Sequence, residues 1–194
     1  MHIYSSWDHD DRARALSRCM GARVLILVDN AGGGTFDQAF RDAWRFLKQF
    51  GVCSDSSIGR GQRDVSDELA AADAAGLVHF LQAEGIVRSD AVEAVGFDPQ
   101  VFALNAVAHI ATPVAEVISW KAECGDQVEH GETIAEIVAC DGNVPAQRTR
   151  ISASTAGVLI ARAHVAVAAP GQRIAMIGGN AARPERIDGK LLHD

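Results

Sequence analysis

The apolar rhythm of the chain changes near residue 100. Before that point, stretches with apolar positions at helical spacing alternate with short unbroken apolar runs. After it, only short alternations remain, cut by glycines. In the first part, Asp8 to Met20 reads as a helix with Asp8 in its first turn and Gly21 as its stop. Arg23-Val-Leu-Ile-Leu-Val28 reads as a buried strand, followed by the breaker run Asp29 to Gly34. Thr35 opens another helix. Thr35 and Gln38 have capping-box spacing, and Phe36, Phe40, Trp44, Leu47 and Phe50 supply one apolar face before Gly51. Val52 to Ile58 is a short, weak strand. Ser66 caps a further helix with Asp67 and Glu68 in its first turn. Leu69, Leu77, Phe80 and Leu81 are its expected buried face, and Gly85 is its end. Helices alternating with strands imply an α/β layer. Only Val24 to Val28 and Val52 to Ile58 stand out as strands, which leaves a sheet with a raw edge. Residues 1–100 therefore read as part of a domain.

Ser89 to Gln100, with Gly96 and Pro99, reads as a linker. Beyond it the expected strands are Val101 to Leu104, Val114 to Trp120, Gln127-Val128, Thr133 to Val138, Arg150 to Ser152, Val158 to Ala161 and Arg173 to Ile177. Turn residues such as Gly125-Asp126, His130-Gly131, Ala156-Gly157 and Pro170-Gly171 separate them. Short strands at regular spacing with glycine turns predict a small β-barrel or sandwich over 101–182. Residues 183–194 read as a polar tail.

Composition removes several classes. The formal net charge of the 194 residues is -7, with 48% hydrophobic and 22% charged residues. That disfavours nucleic acid, whose phosphates need clustered Lys and Arg, and equally an anionic membrane surface. No apolar run is long enough to cross a membrane, and the start lacks a signal-peptide pattern, so a cytoplasmic location is expected. The four cysteines, Cys19, Cys53, Cys124 and Cys140, show no Cys-x-x-Cys and read as reduced thiols.

The most specific motif runs from Gly125 to Val138. A Gly-Asp turn, a strand step with inward Val128, a second glycine turn and the alternating Ile134/Ile137 strand make a compact hammerhead. It resembles the barrel-sandwich domains that carry biotin or lipoate, and Ile151 to Leu159 and Pro170 to Ile177 resemble their second half. Such carriers attach the cofactor to a lysine at the hairpin tip. Here the hairpin, Ala139 to Arg150, has no lysine, and Lys121 lies elsewhere, so neither biotin nor lipoate is expected.

A lysine-free barrel of this kind after an α/β half resembles the succinylglutamate desuccinylase/aspartoacylase family. The order His2-Ile-Tyr-Ser, Gly21-Ala-Arg-Val-Leu-Ile, Gly32-Gly-Gly-Thr-Phe36, Gly59-Arg-Gly-Gln-Arg-Asp-Val65 and Val78 to Ile86 is similar to the later part of that family's catalytic domain. The resemblance covers about residues 1–180. It implies a zinc-carboxypeptidase-like α/β layer and a zinc hydrolase acting on N-acyl amino acids, with a His-x-x-Glu pair, a later histidine and a glutamate that activates water. These do not carry over. The sequence has no His-x-x-Glu, the third ligand would precede Met1, and Ser56-Ser57-Ile58 stands where the glutamate should fall. Asp55 is the nearest carboxylate. Ala115-Glu116 also departs from the glycine the family tends to have after Pro113. Arg60 and Arg63 are the candidate contacts for an acidic substrate, since Arg pairs bidentately with carboxylate.

Other candidates have plainer readings. His2, Asp8, His9, Asp10 and Asp11 could form a zinc ligand set, but acids at a helix start are what the helix dipole favours. His79 reads as a helix-surface or packing residue, and His109, His130 and His164 as loop or surface residues. Gly32 to Gly34 reads as a strand-to-helix turn, because no P-loop or dinucleotide fingerprint surrounds it. The expectation is therefore the C-terminal portion of a zinc-dependent N-acyl amino acid amidohydrolase, inactive alone, with zinc held by a separate chain or half. The alternative is a non-catalytic binding or oligomerisation module of the same descent.

Overall fold

The computed structural model describes residues 1–6, 10–28, 57–59, 65–88, 98–142 and 145–181; for residues 2, 4, 6, 28 and 57–59 it describes the backbone only. The chain divides into two compact units, one running to Leu104 and the other starting at Asn105. Most of the described elements are strands. Among the described residues, no helix is long and apolar enough to cross a membrane.

The first unit is a four-stranded sheet with helices. Strands β1 (His2–Ser6), β2 (Val24–Val28), β3 (Ser57–Gly59) and β4 (Gln100–Ala103) lie in the order β3-β1-β2-β4. β1, β2 and β4 are parallel, and β3 runs antiparallel to β1. Val24, Leu25, Ile26 and Leu27 are all buried, as expected for an inner parallel strand covered on both faces. Helix α1 (Asp10–Met20) buries Ala13, Leu16, Ser17 and Met20, one stripe at helical spacing. Ala13, Leu16 and Met20 share a core with Ile3, Ala22, Leu25 and Leu27. The sheet is larger than the two strands expected from the sequence. Val101 to Leu104, expected in the β-rich part, instead supplies β4 beside β2, with Leu25 opposite Val101 and Leu27 opposite Ala103.

Helix α2 (Asp67–Ala83) starts at Ser66, whose side chain accepts the Leu69 amide at 3.2 Å. It packs against α1 through Gly76. A Cβ at that position would lie 2.7 Å from the Cys19 carbonyl oxygen and 2.9 Å from the Met20 Sδ. An Arg12–Glu84 ion pair also links the helices. The buried face differs from the expected one. Gly76 is the buried residue of α2, Leu69 and Phe80 are half-buried, and Leu77 and Leu81 face outward. The helix is apolar on more than one side, and the close approach at Gly76 decides which side turns inward.

The second unit consists of two four-stranded antiparallel sheets. One has β5 (Val107–Ala111), β12 (Arg173–Gly179), β10 (Gly157–Arg162) and β7 (Gln127–Val128) in that order. The other has β11 (Val167–Ala168), β6 (Glu116–Trp120), β8 (Thr133–Val138) and β9 (Arg148–Ser152). Both sheets feed one core, with Ile110, Leu159, Ile174 and Ile177 from the first and Ile118, Ile134, Ile137 and Ile151 from the second. No closed barrel forms among the described strands. β5 and β11 were not expected from the sequence, and His109, expected in a loop or on the surface, sits half-buried in β5.

Candidate functional site

In an open sheet of parallel strands, ligands bind beyond the strands' carboxyl ends. In the first unit that edge is marked by Ser6 on β1, Val28 on β2 and Ala103 on β4. Because β3 is antiparallel, its first residue, Ser57, pairs with Tyr4 toward the same edge. Gly59, from which the chain runs on to Arg60 and Arg63, pairs with His2 at the opposite, amino end of β1. The two arginines themselves lie outside the described residues, as do Asp8, His9, Gly32 to Gly34, Asp55 and Ser56.

The terminal His/Asp cluster is described only in part. Asp10 accepts a 2.8 Å hydrogen bond from Arg14 Nε one turn on, and Asp11 is exposed in the same first turn of α1. Both acids sit where a helix N-terminus stabilises negative charge. Among the described residues, no three His, Cys, Asp or Glu side chains gather to hold a metal; Asp8, His9 and the His2 side chain lie outside them. His79 is half-buried on α2, and His130 and His164 are exposed.

The Cys19 and Cys124 thiols are poor nucleophile candidates. Burial pushes the Cys124 thiol up, against the lowering effect of nearby Arg162, and burial raises Cys19 as well. A raised thiol keeps its proton at neutral pH and so loses reactivity.

The second unit has an open cleft of about 280 Å³ between β5, β10 and β12, with His109, Arg162 and Arg173 around an apolar floor of Ala161, Ile174 and Met176. Its charge is largely committed. The Arg162 guanidinium donates to the Ala122 carbonyl at 3.0 Å, pairs with Glu123 at 2.6 Å and lies 5.6 Å from the centre of the Trp120 ring. Among the described residues no carboxylate or thiol lines the cleft, which leaves His109 as the side chain there able to act as a general base. On the other sheet, Glu136 joins Lys121 at 3.1 Å and Arg148 at 2.8 Å. The hydrogen bond from Lys121, then that from Arg148, holds its carboxyl below the ordinary value of 4.5.

One residue stands out in the turn into β6. Glu116 has φ 128°, the one non-glycine positive φ among the described residues. Its carboxylate accepts the Cys140 amide at 2.8 Å. The family resemblance had marked Ala115-Glu116, after Pro113, as a turn where glycine is usual. The backbone shows why glycine suits it, and the hydrogen bond shows what the carboxylate does instead.

No known family pattern matches the chain, and no curated protein matches it. Solved structures do. A Shewanella frigidimarina NCIMB 400 protein described as a succinylglutamate desuccinylase/aspartoacylase superposes with a TM-score of 0.68 at 20% identity, covering 92% of this chain and 50% of its own. The ectoine utilization protein EutE (DoeB) of Ruegeria pomeroyi gives 0.67 at 15% identity over 92% of this chain and 55% of its own. A succinylglutamate desuccinylase/aspartoacylase from Rhodobacter sphaeroides gives 0.65 at 15% identity over 93% and 53%. The chain therefore has the fold of the succinylglutamate desuccinylase/aspartoacylase proteins and spans about half the length of the structures it matches.

Proposed function

We propose that this chain is the C-terminal portion of a zinc-dependent N-acyl amino acid amidohydrolase of the succinylglutamate desuccinylase/aspartoacylase kind. The reading rests above all on structural likeness that takes in 92% of this chain while using 50% of its neighbour. The second unit is then a barrel-sandwich domain whose hairpin, Ala139 to Arg150, carries no lysine, its two sheets joined by a common core. The first unit is the rear of a zinc-carboxypeptidase-like α/β layer. Hydrolysis of an amide in such an enzyme uses a metal-bound water. This sequence has no His-x-x-Glu pair to hold that metal, so the chain alone is inactive and needs a zinc-bearing half from elsewhere. Within the complete site, Arg60 and Arg63 bind the carboxylates of an acidic substrate.

The test is release of free amine from a panel of N-acyl amino acids, with and without added zinc. The chain alone should release none. Turnover by the chain alone would overturn the proposed inactivity. With a polypeptide carrying His-x-x-Glu supplied, turnover should appear and Arg60→Ala should raise KM. Persistent inactivity with a range of such halves favours the second reading, a non-catalytic oligomerisation module, for which the outward apolar side of α2 speaks.

A further inference from the structure

Helix α2 has two apolar faces, and among the described residues only one of them is covered. The inward face docks on α1 at Gly76, with Leu69 and Phe80 beside it. A second stripe runs along the helix about a third of a turn away. Ala70, Ala74, Leu77, Val78 and Leu81 follow helical spacing, and all are exposed. Leu77 and Val78 leave 45% and 44% of their surface open. Past the helix end the chain reverses, with the Ile86 and Val87 amides both donating to the Leu81 carbonyl, and Ile86 stays 68% exposed. Glu68, His79 and Gln82 mark the remaining, polar side. A surface helix in water normally carries one apolar stripe, so a second implies a second cover.

We propose that this stripe is a homodimer interface in which α2 of one copy packs antiparallel against α2 of a second copy. Two properties of the stripe select that occupant and orientation. The first is size. Its amino-terminal half is alanine and its carboxyl-terminal half is leucine and valine. An antiparallel pair sets small against large, with Ala74 facing Leu81 and Leu77 facing Val78 near the two-fold axis. Complementary layers of that kind fill the space between helices 8–10 Å apart. A parallel pair would set alanine on alanine and leave a gap.

The second property is charge. Asp67, in the first turn, lies at one end of the stripe, and exposed Arg88 lies past the other end. Glu84, the acid at that second end, is already paired with Arg12. Antiparallel packing therefore brings Asp67 of each copy toward the Arg88 end of the other and opposes the helix dipoles favourably. The patch exposes roughly 500 Å² per copy, so a symmetric pair buries about 1,000 Å², the lower bound for a specific interface. The proposal deepens the oligomerisation reading and does not require amidohydrolase activity.

The experiment is sedimentation of the full chain under reducing conditions, with far-UV circular dichroism as the check on folding. Wild type should be a concentration-dependent dimer. Leu77→Glu should weaken it at least tenfold with an unchanged spectrum, and Arg88→Glu should weaken it several-fold. Asp67→Lys added to Arg88→Glu should restore the dimer. Val78→Cys, oxidised without reductant, should cross-link through the two introduced thiols, as peptide mapping would show. A monomeric wild type overturns the proposal. So does a dimer indifferent to Leu77→Glu, or a charge swap that restores nothing. If Leu77→Glu lowers the melting temperature of a monomer, a segment of the same chain covers the stripe, and the proposal is again wrong.

Discussion

Replacing Gly157 by alanine should be among the most damaging single changes in the second unit. Gly157 opens β10 and pairs with Gly179 on β12, with Val158 opposite Gly178. Its φ is +153°, and a Cβ there would lie 2.0 Å from the Gly178 carbonyl oxygen, 2.8 Å from its carbon and 3.0 Å from the Gly179 Cα. All of these atoms belong to backbone, so none can swing aside, and the two strands must part. A sparsely populated backbone conformation costs about 1–3 kcal/mol. Forcing atoms into a packed site costs about another 1–3 kcal/mol. The expected loss is thus roughly 2–6 kcal/mol, against typical total stabilities of about 5–15 kcal/mol.

Gly131→Ala is the matched control. Gly131 also has positive φ, +84°, but nothing lies within 4 Å of a Cβ built there. It should lose only the cost of the left-handed conformation, roughly 1–2 kcal/mol. Urea unfolding followed by tryptophan fluorescence reports the second unit through Trp120, which packs on its core. With a slope of about 1–3 kcal/mol per molar urea, the Gly157→Ala midpoint should fall by about 1–2 M or more. A midpoint no lower than that of Gly131→Ala would refute the steric reasoning.

Two further predictions follow from charged groups. Glu116→Gly should change stability by no more than about 1–2 kcal/mol, because relief of the strained backbone offsets the lost hydrogen bond. Glu116→Ala keeps the strain and loses the bond, so it should be about 1–3 kcal/mol less stable than Glu116→Gly in the same urea assay. Equal stability of the two variants would mean that φ 128° carries no strain here. Glu136 has a folded-state carboxyl held below its ordinary 4.5. Its contribution is therefore present above that value and fades as pH falls through the lower folded value. Glu136→Gln should accordingly be less stable than wild type at pH 7, with the gap closing in melts below pH 4.5; a gap that is constant with pH would contradict the ion-pair assignment.

Local signals in the sequence located α1, β2 and the hammerhead β7–β8. The stripe Ala13, Leu16, Ser17, Met20 and the alternation through Ile134 and Ile137 are each contained within one element. Membership of β4 in the first sheet depends on pairing with residues 24–27, far away in the chain, and an apolar run such as Val101 to Ala103 does not name its partner. The buried face of α2 was misread for a related reason. Two apolar stripes share that helix, and periodicity alone does not rank them. Gly76 was the available signal, since a glycine inside an apolar helix marks a close approach of backbone. The departure at Ala115-Glu116 was legible through the family resemblance, whereas the Cys140 amide that Glu116 binds was not, because 24 residues separate the two. Arg60 and Arg63 were read from the family resemblance and from the affinity of arginine for carboxylate, and they lie outside the described residues, as does Asp55.

The proposal that most needs testing is that this chain is the rear portion of a zinc-dependent amidohydrolase and holds no zinc by itself. The direct measurement is the zinc-to-protein ratio of the full purified chain by elemental analysis after dialysis against a weak chelator. The account predicts a ratio near zero. A ratio near one, lost on mutation of His2 and His9, would contradict it and place a metal centre at the start of the chain.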